Sequence, residues 1–153
     1  MSARRGARRE QPPTGDEDAG YGFLAELVAK TALAGRVVYW FLVVRQRVYR
    51  APLTETVDYL ANIRLRAFMP HPPRRLGRAV DALLRFGGRR PSSLVRALVL
   101  FRLLRAQRLP AQLVVEGSHM ARRTGGCAWV EVAGVDLGPS PGGRHRSPGF
   151  RYG

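Results

Sequence analysis

From Tyr21 to about Tyr49 apolar side chains recur at helical spacing, with Leu24, Leu27, Val28 and Ala32 in register. Val37 to Val44 is an unbroken apolar run bounded by Arg36 and Arg45. Its Tyr39 and Trp40 suit a core or an interface. A bilayer-spanning helix needs about 20 consecutive apolar residues, and Glu26, Lys30 and Arg36 interrupt the longer window. The pattern therefore predicts a core or subunit-docking helix that does not span, with a membrane-surface contact through 37–44 as a second reading. Pro52 breaks this helix, and Leu53-Thr54-Glu55 begins another with Thr54 as the expected N-cap. Val57, Leu60, Ala61, Ile63 and Leu65 carry that helix to about Phe68. The run M-P-H-P-P-R-R that follows cannot continue it. Leu76, Ala79, Val80, Leu83 and Leu84 mark a short amphipathic helix closed by Phe86-Gly87-Gly88.

Pro91 and two serines then open the most apolar helix of the chain. Leu94, Ala97, Leu98, Phe101 and Leu104 fill one side, Leu100 and Leu103 widen it, and Arg96, Arg102 and Arg105 are expected on the polar side. The helix ends near Leu109-Pro110. Ala111 to Glu116 reads as a strand and 117–126 as a loop. Cys127 to Val132 reads as a second strand, continued by Gly134 to Leu137 through a tight turn. The fold class is therefore α+β, a helical N-terminal half followed by a central helix and a short antiparallel sheet. Residues 1–20 are polar, Arg-, Pro- and acid-rich, and 138–153 are Pro- and Gly-rich; both are expected as disordered tails around one domain at 21–137.

Composition narrows the chemistry. The chain has 153 residues, enough for one domain with a real core, and a formal charge of +15. All of its cations are arginine except Lys30. The arginines are scattered rather than gathered into one stripe with interleaved aromatics, so a nucleic-acid partner is not expected, while an acidic peptide or protein suits the basic surface. Cys127 is the only cysteine, which excludes a disulfide framework and a cysteine-based zinc site. His71, His119 and His145 lie far apart, so no metal is expected, and nothing calls for a cofactor. The basic N-terminus gains no apolar core before Tyr21, which points away from a secretory signal and towards the cytoplasm.

Residues 36–138 resemble the lasso-peptide leader-peptidase family, a bacterial branch of the transglutaminase-like, papain-like superfamily. The family pattern is roughly P-x-C-L-x-R-A-L-x-L-x-x-L-L-R-x-x-G-x-P-A-x-L-V-x-G, a variable loop, then H-A-W-V-E-V-x-G. Here it is met by Pro91, Leu94, Arg96-Ala97-Leu98, Leu100, Leu103-Leu104-Arg105, Pro110-Ala111, Leu113-Val114 and Gly117. The second block is met by Ala128-Trp129-Val130-Glu131-Val132 and Gly134. The resemblance implies a fold that sets a nucleophile at a helix start opposite a base at a strand start, and a cysteine peptidase that removes the leader from a ribosomally made precursor peptide. It further implies a leader-recognition protein and an ATP-dependent lasso cyclase as partners.

Both implied catalytic positions are substituted. Ser93 stands at the nucleophile position and Cys127 at the base position; Asp136 is the acid available as third member, at an offset that does not match the pattern cleanly. A serine hydroxyl needs a base to take its proton. A thiol, with a reference pKa of about 8.5, replaces imidazole poorly, and general-base assistance contributes roughly 10²–10⁴ in rate. A helix dipole supplies about 1 kcal/mol, too little to ionise serine. The plain reading of Ser92 and Ser93 is as helix N-caps, and of Cys127 as a small residue at a strand edge. His119 in the preceding loop is the substitute base a rescued mechanism would need. The resemblance therefore implies a catalytically degenerate family member that binds precursor peptide or partner proteins. The alternatives are an active hydrolase with a rearranged site using Ser93, and a basic membrane-surface or nucleic-acid-binding helical protein.

Overall fold

The structure is a computed structural model and describes residues 17–63, 70–85, 91–116, 127–137 and 148–153. Four helices precede a four-stranded antiparallel sheet: α1 (Glu17–Arg50), α2 (Leu53–Asn62), α3 (Pro73–Arg85), α4 (Ser93–Ala106), β1 (Ala111–Glu116), β2 (Ala128–Val132), β3 (Val135–Asp136) and β4 (Pro148–Tyr152). The strand order is β3-β2-β1-β4. This is the α+β arrangement the hydrophobic pattern predicts.

The core is built around α4. Val99, Phe101 and Leu104 are fully buried, and α4 touches α1, α2 and α3 as well as β1 and β2. Val37, Trp40 and Val44 come to this core from α1, Val57 and Leu60 from α2, and Leu76, Val80 and Leu84 from α3. Ala111, Leu113 and Val130 come from the sheet. With neighbours all round, α4 has no solvated side. Arg102, expected on its polar side, is only 1% exposed. Its guanidinium lies 4.7 Å from the Trp40 ring centroid, a cation–π contact that offsets part of the desolvation. That desolvation lowers the Arg102 pKa from its ordinary value.

The ends of α4 follow local rules. Ser92 is the N-cap, its Oγ accepting from Val95 N at 3.4 Å, as the sequence predicts. At the other end Arg108 N donates to Arg105 O at 2.9 Å and Leu109 N to Leu104 O at 3.2 Å, a Schellman closure. The closure puts Arg108 at φ 60, a left-handed position where the family pattern has glycine. Ala133 at φ 50 and Gly134 at φ 77 form the tight turn joining β2 to β3, with the positive φ pair of a type I′ hairpin.

Four expectations are corrected. The N-cap of α2 is Pro52, with no side-chain cap bond, and Thr54 lies inside the first turn. The helix stops at Asn62 because Ile63 turns extended at φ −67, ψ 119, short of Phe68. The helix α1 begins at Glu17, inside the stretch expected to be a tail. The C-terminal stretch also ends in order: β4 pairs with β1 through Leu113↔Tyr152, Val114↔Arg151 and Val115↔Phe150. Paired backbone groups along β1 supply the ladder bonds that the Pro- and Gly-rich composition of 138–153 gave no reason to expect. The Phe86-Gly87-Gly88 cap lies outside the described residues.

Candidate functional site

The site lies where the start of α4 meets the start of β2. Pro91 and the Ser92 cap fix the first turn of α4, so Ser93, its first residue, points to the sheet rather than serving as the cap. Ser93 Oγ accepts a hydrogen bond from Ala128 N at 3.3 Å. That amide belongs to the Cys127–Ala128 peptide, so two positions 34 residues apart in sequence, Ser93 and Cys127, meet at one place. Antiparallel pairing of β1 and β2 holds the second of them: Glu116 N donates to Cys127 O at 2.8 Å, next to the Val115↔Ala128 pair. The Cys127 side chain itself is exposed.

Beside Ser93 a shallow, open cleft with a cavity volume of about 30 Å³ runs between α3, α4 and the sheet. Gly77, Asp81, Arg96, Val130 and Leu137 line it together with Ser93. Arg96 Nη1 and Asp81 Oδ1 are 3.3 Å apart, with side chains 25% and 18% exposed. Arg96 Nε is buried without a hydrogen-bond partner. The cleft is apolar over most of its wall and carries one ion pair and one hydroxyl. Gly77 keeps α3 close: a Cβ there would stand 3.1 Å from Leu137 O.

Asp136 belongs to β3. The β2–β3 register sets it opposite Glu131, four residues along the strand from Cys127, or about 13 Å. Directly opposed residues share a face of the sheet. Val130 packs into the core with α4, so Trp129, Glu131 and Asp136 lie on the other face. Register, which the sequence did not show, sets the carboxylate level with Glu131 rather than with Cys127, on the strand face that alternation also gives Cys127. His119 lies outside the described residues.

The A-W-V-E-V stretch has a structural use. Trp129 Nε1–H donates to Glu131 Oε1 at 2.9 Å, and Arg151 Nη1 of β4 lies 3.4 Å from Glu131 Oε2. The ion pair links β2 to β4 across β1 on the face away from α4.

Asp81 and Arg96 went unnoticed as site residues in the sequence. Arg96 reads as one of the solvated arginines by periodicity, yet it stands at a position of the family pattern and so carries a signal. Asp81 carried none, since only the packing of α3 on α4 brings it to the cleft. Among the described residues no three His, Cys, Asp or Glu side chains cluster to hold a metal ion. No family model, no curated protein and no solved structure matches the chain.

Proposed function

We propose that this chain takes part in the maturation of a lasso peptide as a catalytically degenerate relative of the leader peptidases, binding the precursor's leader in the cleft beside Ser93. The observation that carries the reading is the contact between Ser93 Oγ and the amide of the Cys127–Ala128 peptide, at 3.3 Å. It supports the alignment of Ser93 and Cys127 with the two catalytic positions of the family, because residues in those roles must meet across a helix start and a strand start. The substitutions then leave a groove without its thiolate and imidazole. Ser93 has Cys127 in the place of the base, and the Asp81 carboxylate is engaged with Arg96. A serine nucleophile needs a base to take its proton, and a cysteine thiol standing at the base position replaces imidazole poorly. On this reading a leader-recognition protein and an ATP-dependent cyclase are the working partners.

The test is mass spectrometry of a candidate precursor incubated with the protein and the leader-recognition protein. Wild type is compared with Ser93→Ala and with the double variant Ser93→Cys/Cys127→His. No cleavage by wild type together with cleavage by the double variant is the expected result. Cleavage by wild type that vanishes in Ser93→Ala favours a working serine site instead. A precursor that neither binds to wild type nor is cut by any variant overturns the reading.

A further inference from the structure

We propose that the exposed face of α1 lies flat on an anionic lipid surface. This inference is independent of the peptide-binding reading above. Leu24, Val28, Thr31, Gly35, Val38 and Leu42 fall within a sector of about 80° at 100° per residue, and all are exposed. Leu27 and Tyr39 flank them, and the large apolar members of the stripe are 50–64% exposed. From Leu24 to Leu42 the stripe runs about 27 Å at 1.5 Å per residue. An apolar strip of that length is more than a soluble surface ordinarily carries without a partner.

The opposite side of the helix is occupied. Val37, Trp40 and Val44 are buried in the core, and Trp40 stacks under Arg102. The segment Glu26–Arg50 is long and apolar enough to cross a membrane by length and composition. Crossing would strip those three side chains and the buried Arg102 of their contacts, so the packed helix presents one face to lipid and keeps the other on the protein.

Charge selects the occupant. Beyond Leu42 the exposed face continues into Arg45, Tyr49 and Arg50. Between residues 24 and 50 the one acid is Glu26, which pairs with Lys30 at 2.9 Å. An apolar stripe that ends in arginines and tyrosines matches the boundary between acyl chains and anionic headgroups. A second copy of the chain would bring two surfaces of a +15 protein together, which like charge opposes.

The test is flotation of the full-length protein with vesicles at about 0.15 M salt, where weak surface attraction is screened. One set is phosphatidylcholine alone and the other contains about one-third phosphatidylserine. Wild type should float with the anionic vesicles and stay behind with the neutral ones. Val38→Glu/Leu42→Glu should abolish flotation with an unchanged circular dichroism spectrum, since both sites are exposed. Arg45→Gln/Arg50→Gln should weaken binding about 25-fold, roughly fivefold per charge. Failure of wild type to float with anionic vesicles overturns the proposal, as does equal flotation of the glutamate variant. Self-association without lipid that the glutamate variant abolishes assigns the face to a second copy and overturns it as well.

Discussion

Replacing Ser93 by alanine removes the acceptor of the Ala128 amide, and with it one hydrogen bond between α4 and β2. A protein hydrogen bond contributes about 0.5–1.5 kcal/mol net, and a donor left without a partner costs about 1–3 kcal/mol when fully buried. Ala128 is only partly buried, so water takes over part of that donor's demand. The bond is also long at 3.3 Å. Alanine returns about 0.4 kcal/mol through its better helix propensity. The balance is a loss of about 1 kcal/mol. Urea titration reads it directly: with a slope of about 2 kcal/mol per molar, the midpoint should fall by about 0.5 M at unchanged slope. Hydrogen exchange supplies the local reading, since exchange at the Ala128 amide should accelerate relative to Val130, deeper in the same strand. A midpoint at or above that of wild type, with Ala128 exchanging no faster, would refute the idea that this hydroxyl ties helix to strand. The magnitude also bears on the cleavage assay. About 1 kcal/mol leaves a domain with a stability of about 5–15 kcal/mol folded, so loss of activity in Ser93→Ala would report chemistry rather than unfolding.

Three further outcomes follow from the same geometry. Arg108 and Ala133 hold left-handed backbone at φ 60 and φ 50, so Arg108→Gly and Ala133→Gly should each raise stability by about 1 kcal/mol, seen as a higher thermal midpoint. Gly77→Ala should lower stability by about 1 kcal/mol or more despite alanine's helix preference. The added methyl meets Leu137 O at 3.1 Å, and Leu137 is itself held by its N–H to Val130 O at 2.9 Å, so thermal melting of this variant should move opposite to that of the two turn variants. The exposed Cys127 thiol should react with a chromogenic disulfide reagent in the native protein to one equivalent without denaturant. A thiol titrated only after unfolding would contradict its placement.

Local rules made much of the architecture legible from residues alone. Apolar spacing of 3.6 marks the helices, Pro52 and Pro91 separate them, and β-branched residues on either side of Ala133-Gly134 mark the sheet. Ser92 is a cap by chemistry that operates over three residues. Tertiary structure decided the rest, because each remaining feature depends on chain segments far apart in sequence. The strand β4 exists because β1 has a free edge to receive it, a pairing between residues such as Val115 and Phe150. Arg102 is buried because three helices and a sheet enclose α4, which periodicity within a single helix does not express. Register alone puts Asp136 opposite Glu131 rather than Cys127, since a carboxylate's level along the sheet depends on the strand it pairs with. The meeting of Ser93 with the Cys127–Ala128 peptide belongs to both levels. The residues and their order are written in the chain, and the antiparallel pairing of β1 with β2 closes the distance.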